Sequence, residues 1–168
     1  MTTYASLLAA LTAVGAYISI PIGPVPIVLQ NLFVYLTGLL LGSRWGVAGI
    51  GAYLLAGAVG LPVFAGGKGG IGHLVGPTGG YLVGFLPAVA IIGMIAEKTK
   101  GNILFGLLAL IAGTAVIYTC GVSWLGVVTG MTMRHSLMVG MVPFLIGDAI
   151  KIAAALFIAR SLRPMIQK

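Results

Sequence analysis

Two ionisable residues, Asp148 and Lys151, lie in an otherwise apolar segment near the end of the sequence, and Asp148 is the only aspartate in the chain. A separation of three residues puts both side chains on one face of a helix. A carboxylate accepts N–H groups and an ammonium donates to a carbonyl or carboxylate, so the pair is suited to binding a small polar solute. A buried ion pair that only locks helix packing is the alternative interpretation.

The composition indicates that this charged pair lies inside a membrane. Of the 168 residues, 60% are hydrophobic and 7% are charged, and the mean hydropathy is +1.16. Soluble domains carry about 25% charged residues, so a soluble fold is excluded. Each intramembrane charge costs roughly 2.5–3.5 kcal/mol at a helix centre, and residues kept at that cost usually have a function. We therefore predict an all-α integral membrane protein, with residues 1–168 forming a single transmembrane substrate-binding domain.

Glycine, proline and charged residues divide the chain into six apolar stretches, which we interpret as membrane-spanning helices. The sequence predicts transmembrane helices over residues 4–20, 27–41, 45–60, 79–96, 103–129 and 138–159. Two irregular loops separate some of them, a proline-rich loop over 21–26 and a glycine-rich loop over 61–78. The expected fold is thus a six-helix bundle with short connections.

The distribution of basic residues predicts the orientation of this bundle. With six spans, one side holds six basic residues and the other holds Lys68 and Arg134. By the positive-inside rule, the N- and C-termini are then cytoplasmic and both irregular loops face outward. The net charge of +7 is accounted for by helix ends and lipid headgroups, so we do not expect a nucleic-acid partner. The six on the cytoplasmic side are Arg44, Lys98, Lys100, Arg160, Arg163 and Lys168.

The glycine-rich loop is the second candidate feature for function. Its segment 67–72 formally matches the dinucleotide-binding pattern G-x-G-x-x-G, but no βαβ context surrounds it. Gly69 follows Lys68 where a phosphate-binding loop needs Ser or Thr, so we expect no nucleotide site. The loop is either a lid over a pocket or a plain flexible connection. The apolar Phe64, together with Thr78 and Tyr81, favours the lid.

The remaining polar residues give weaker signals. Gln30 lies near the outer end of a helix. Its amide either bonds a substrate, or it caps the helix or forms a hydrogen bond to a neighbouring helix. His73, His135 and Cys120 show no spacing typical of metal ligands. Ser136 has no triad pattern around it, so we expect neither a catalytic residue nor an enzyme.

Small residues repeat every four positions along the first predicted helix, at Ala5, Ala9 and Ala13. This spacing lets a second helix approach closely. The approaching helix belongs either to a partner protein or to the same bundle, and the sequence alone favours neither.

Several segments, in order along nearly the whole chain, resemble the BioY family, the biotin-specific substrate-binding (S) components of energy-coupling factor (ECF) transporters. GPTGGY followed by a late D-x-x-K is a specific combination. The similar segments are PVPIVLQ (24–30), YLLAG (53–57), GLPVF (60–64), GPTGGY (76–81) and GDxxK (147–151).

The resemblance implies a binding site for biotin near the outer face of the cell membrane. Asp148 and Lys151 would be its polar anchors, and Gln30 would come from the first loop region. The loop from Phe64 to Tyr81 would cover the ligand, which makes Thr78 and Gly79 candidate binding residues as well.

The resemblance also implies partners. A transmembrane coupling protein and two ATPase subunits would supply the energy, and Ala9 and Ala13 would dock on the coupling protein. Biotin would be a transported substrate, and no cofactor is expected. The alternatives are an S component for another vitamin, such as thiamine or riboflavin, and a self-sufficient secondary transporter.

Overall fold

The computed structural model describes residues 1–99 and 102–166, and most of these residues are helical. Lys100 and Lys168, which entered the count of basic residues, lie outside the described part. In chain order the elements are α1 (Thr2–Tyr17), β1 (Ser19–Ile20), β2 (Ile27–Val28), α2 (Gln30–Ala58), α3 (Ile71–Leu74), α4 (Gly79–Lys98), α5 (Ile103–Thr129), α6 (Met133–Gly140), a 3-10 turn (Val142–Phe144) and α7 (Leu145–Ile166).

The helices have the length and surface of a membrane protein. Four helical stretches are long and apolar enough to cross a bilayer: Gln30–Ala58, Gly79–Lys98, Ile103–Thr129 and Met133–Ile166. Large apolar side chains are exposed along them, with Phe157 at 75% and Val127 at 78% of full exposure. Such a surface suits lipid and would aggregate in water, so the predicted all-α membrane class is confirmed.

Gly42 reverses the chain in the middle of α2. Its φ of 76° and ψ of −172° are not helical, and they separate an arm over 30–41 from an arm over 43–58. A straight helix of 29 residues would be about 43 Å long. Yet the Gln30 amide nitrogen lies 2.7 Å from the Tyr53 hydroxyl. The two arms therefore form an antiparallel hairpin, and the sequence predicted a helix end at this place.

Two predicted helix boundaries differ from the structure. The first helix ends at Tyr17, because Ser19–Ile20 pairs antiparallel with Ile27–Val28 and closes a short hairpin around the prolines. The last predicted helix, 138–159, is divided into α6, the 3-10 turn and α7. Pro143 lies in that turn, and its ring and missing N–H prevent a continuous helix.

Hydrogen bonds at the ends of the helices bring three distant segments together. Glu97 accepts hydrogen bonds from the backbone N–H and the hydroxyl of Ser43, at 2.8 and 3.2 Å. Arg163 donates to the carbonyl of Ala96 at 2.7 Å. The turn of the α2 hairpin, the end of α4 and the end of α7 therefore lie at one end of the bundle.

We predict that Gly42→Ala destabilises the fold. A non-glycine residue in the left-handed region costs roughly 1–2 kcal/mol. An added Cβ would also lie 2.1 Å from the Glu97 carboxylate and displace it. The midpoint of thermal unfolding in detergent should fall. Gly23→Ala is the matched control, since its Cβ would meet no atom within 4 Å. Equal midpoints for the two variants would contradict the role given to Gly42.

Candidate binding site

The start of α7 places Asp148 and Lys151 together inside the protein. The Lys151 ammonium lies 2.9 Å from one carboxylate oxygen of Asp148, and the residues are 3% and 8% exposed. Asp148 lies in the first turn of the helix, where the positive end of the helix dipole stabilises a carboxylate. Both side chains lie on one face of the helix, as the sequence predicted, and the pair is buried.

Tyr118 of α5 completes this polar cluster, and sequence reasoning missed it. Its hydroxyl donates to the second carboxylate oxygen of Asp148 at 2.5 Å. Tyr118 lies in the middle of an apolar helix with no charged neighbour or motif, so only the packing of α5 on α7 reveals it. Lys151 has three N–H donors and Asp148 takes one of them, so the ammonium retains capacity for a further acceptor.

The polar cluster forms one wall of a cavity between the helices. Its free volume is about 50 Å³, whereas small-molecule sites typically span roughly 300–1,000 Å³. The cavity is thus small for such a ligand, and its lining residues must shift to admit one. The lining combines polar groups with apolar side chains from five helices, strand β2, the 3-10 turn and two loops: Val25, Pro26, Val28, Gln30, Asn31, Ala65, His73, Thr78, Tyr81, Leu82, Phe85, Tyr118, Phe144, Asp148 and Lys151.

Three other residues singled out from the sequence line the same cavity. Gln30 donates to the Tyr53 hydroxyl at 2.7 Å, and that hydroxyl donates to the carbonyl of Val63 at 3.1 Å. The Thr78 hydroxyl lies 3.2 Å from a ring nitrogen of His73. The Tyr81 hydroxyl donates to the backbone of α6. The structure therefore brings Gln30, Thr78 and Tyr81 together with the charged pair, although they are distant in sequence.

Phe64 and Gly79, also singled out from the sequence, do not line the cavity. Phe64 is fully buried, and its ring packs edge-on against Tyr53 and stacks on His73. A Cβ on Gly79 would lie 1.6 Å from the carbonyl of Leu74, so this position admits only glycine. Both residues hold the glycine-rich loop in place behind the residues that line the cavity.

The loop is attached to α1 as well as to the cavity. The backbone N–H of Gly66 donates to the carbonyl of Ala16 at 3.3 Å, and the Tyr17 hydroxyl donates to the carbonyl of Pro62. Burial, and secondarily the charge of Lys68, lowers the pKa of His73 within this loop. The folded loop therefore favours the neutral His73 ring. Its contribution to stability is complete above the ordinary histidine pKa and is lost as the pH falls through the lowered pKa.

The small residues of α1 divide between two environments. Ala5 is buried, and a Cβ on Gly49 would lie 3.2 Å from the Ala5 carbonyl. Ala5 therefore packs on the second arm of α2. For this residue the approaching helix belongs to the same bundle and not to a partner protein. Ala9 and Ala13 are half-buried.

Comparison with known proteins places this architecture in a family. The model of the BioY family matches residues 1–168. The chain belongs to the BioY family. The resemblance predicted from the sequence is thus confirmed over the whole chain.

Individual BioY relatives are similar over nearly their full length. The chain is 45% identical to the biotin transporter BioY of Thermotoga maritima, covering 96% of this chain and 94% of the relative. It is 38% identical to the biotin transporter BioY of Rhodobacter capsulatus, with coverages of 92% and 87%. A crystal structure of the S-component for biotin from an ECF-type ABC transporter matches with a TM-score of 0.90 at 35% identity, covering 96% of this chain and 89% of that one.

We predict that the buried charges of this BioY family member are strongly coupled. Lys151→Met leaves the Asp148 carboxylate buried without its cation, which should lower the free energy of unfolding by roughly 3–5 kcal/mol. Adding Asp148→Asn removes the uncompensated charge, so the double variant should regain most of that loss. Equilibrium unfolding in mixed detergent measures all four proteins of the cycle. Additive effects of the two substitutions would show that the charges do not interact.

Proposed function

We propose that this chain binds biotin and takes it up across the cytoplasmic membrane as the S component of an ECF-type transporter. The observation that carries the proposal is the buried cluster of Asp148, Lys151 and Tyr118 in the wall of the cavity. The relatives named biotin transporters and the matching biotin S-component support the identity of the ligand.

The chemistry of the cavity suits biotin. Its urea ring offers two N–H donors and one carbonyl, and its side chain ends in a carboxylate. Asp148 can accept from the urea, while the remaining N–H donors of Lys151 can bond the urea carbonyl or the carboxylate. Apolar side chains, including Leu82, Phe85 and Phe144, suit the sulfur-containing ring and the aliphatic chain. Charge-assisted hydrogen bonds in a dry cavity give oriented binding.

The proposed topology has six spans and cytoplasmic termini. The hairpin at Gly42 turns the long α2 into two antiparallel arms, and these would count as two spans. α1, with 16 residues, is about 24 Å long, and the first arm of α2, over 30–41, is about 18 Å long. Each would cross a bilayer only where the bilayer thins or the chain on either side adds length. Arg44, Lys98 and Arg163 lie at the end of the bundle opposite the cavity, and the positive-inside rule makes that end cytoplasmic.

The energy for transport would come from a coupling protein and two ATPase subunits. Ala9 and Ala13 are half-buried and pack partly against the core, and their exposed part would contact the coupling protein. The end of the same helix is bonded to the glycine-rich loop through Ala16 and Tyr17. Movement of α1 on docking would therefore reach the cover of the cavity directly.

We predict that purified protein binds biotin and does not bind thiamine or riboflavin. Asp148→Asn and Lys151→Met should each weaken binding roughly 10- to 100-fold, since a hydrogen bond to a charged group is lost. Glu97→Gln and Lys98→Met are matched controls at the far end of the bundle and should bind like the parent. Isothermal titration calorimetry in detergent gives the affinities.

The outcomes of this titration separate the alternatives. Absence of biotin binding by the folded parent protein would refute the proposed ligand. Binding of thiamine or riboflavin would identify the chain as an S component for that vitamin. If both Asp148→Asn and Lys151→Met bind biotin with the affinity of the parent, the ion pair has only a structural role in helix packing. Uptake in vesicles without ATPase subunits would favour a self-sufficient transporter.

We also predict that the glycine-rich loop must move for transport. A cleavable bifunctional maleimide should link Tyr17→Cys to Pro62→Cys, in a Cys120→Ala background that lacks the native thiol. Linking the protein with biotin bound should retain the ligand and abolish uptake in vesicles that contain the partner subunits. Cleavage of the linker should restore uptake, and each single-cysteine variant is the control. Full uptake by the linked protein would disprove loop movement at this contact.

A further inference from the structure

A second cavity lies at the other end of the bundle, where α4, α5 and α7 converge. Its volume is about 280 Å³, and its wall includes Arg160, Arg163, Thr99 and Asn102. Arg160 is about 18 Å along α7 from Asp148, at 1.5 Å per residue. This inner cavity is therefore separate from the candidate binding site, and nothing said about biotin depends on it.

The inner cavity continues into an apolar groove on the surface of the bundle. Ile103, Leu156 and Arg160 border both, and the groove extends along α7 over Ala153 and Phe157. Ile103 and Phe157 are exposed, and they belong to the apolar surface that faces lipid. A polar cavity that opens into an apolar groove matches a molecule with a polar head and a hydrocarbon chain.

The inner cavity carries positive charge, and none of the described residues in its wall has a carboxylate. The chain has nine Lys and Arg residues but only two acidic side chains. Glu97 is bonded to Ser43, and Asp148 is paired with Lys151. Within residues 1–99 and 102–166, Arg160 has no ion pair or hydrogen bond to its side chain.

Two further features add positive potential to the inner cavity. Arg163 donates through one guanidinium nitrogen to the carbonyl of Ala96 at 2.7 Å, which fixes that guanidinium at the wall. α5 begins at Ile103, so the positive end of its dipole also lies at the cavity.

We propose that the inner cavity and its groove bind one anionic phospholipid. Its phosphate lies beside Arg160 and Arg163, because a guanidinium bonds phosphate oxygens in a two-pronged geometry. One acyl chain follows the groove past Ala153 and Phe157. The position at the end of α7 corresponds to the headgroup level of a bilayer, where basic pockets between transmembrane helices bind anionic headgroups.

Native mass spectrometry of the detergent-purified chain with palmitoyl-oleoyl phosphatidylglycerol tests the proposal. We expect one retained lipid, and roughly tenfold lower retention in Arg160→Gln. Arg134→Gln removes an exposed arginine at the opposite end and should retain lipid like the parent. Ala153→Phe fills the groove without a charge change and should also lower retention. Thermal unfolding of each variant verifies that it is folded.

Three results would overturn the proposal. Equal retention of phosphatidylglycerol and phosphatidylcholine would remove the requirement for an anionic headgroup. Equal losses in Arg160→Gln and Arg134→Gln would reduce the effect to general surface charge. Displacement of the lipid by millimolar inorganic phosphate, with parent-like retention in Ala153→Phe, would indicate a free-anion site in which the acyl groove has no part.

Discussion

The buried ion pair between Asp148 and Lys151 is the interaction on which the rest of this structure depends. Two charges inside an apolar bundle are tolerated when they are paired with each other, and the Lys151 donors that Asp148 does not use remain for a ligand. Tyr118 supplies the second partner of the carboxylate, which ties α5 to α7. The cavity forms where this cluster meets the loop ends, so the requirement to satisfy the charges also determines where a ligand can be bound.

The cover of the cavity depends on a different kind of contact. Phe64 lies fully buried between Tyr53 and His73, and an added Cβ on Gly57 would overlap its ring. The glycine-rich loop, which contains the short α3, is therefore held by one aromatic anchor and by hydrogen bonds to α1, α2 and α5. The proposed transport cycle requires these contacts to break.

The two ends of the bundle have opposite characters. At the cavity end, the buried charges of Asp148 and Lys151 are paired inside the protein, while Lys68 and Arg134 lie at the surface. At the other end, Arg160 and Arg163 face a cavity with no carboxylate among its lining residues. The chain has only two acidic side chains and Arg160 has no carboxylate partner among the described residues, and the inferred lipid site follows from that shortage. The same asymmetry supports the proposed orientation in the membrane.

The sequence by itself determined the membrane class, the approximate helices and the placement of Asp148 and Lys151 on one helix face, because composition and i, i+3 spacing are local properties. It also identified the family from ordered motifs. Only the tertiary structure decided that Tyr118 joins the pair and that Phe64 lies behind the cavity wall. It also decided that Ala5 packs on Gly49 inside the chain. These relations join residues far apart in sequence, and they depend on how the α2 hairpin, α5 and α7 pack, which no local pattern encodes.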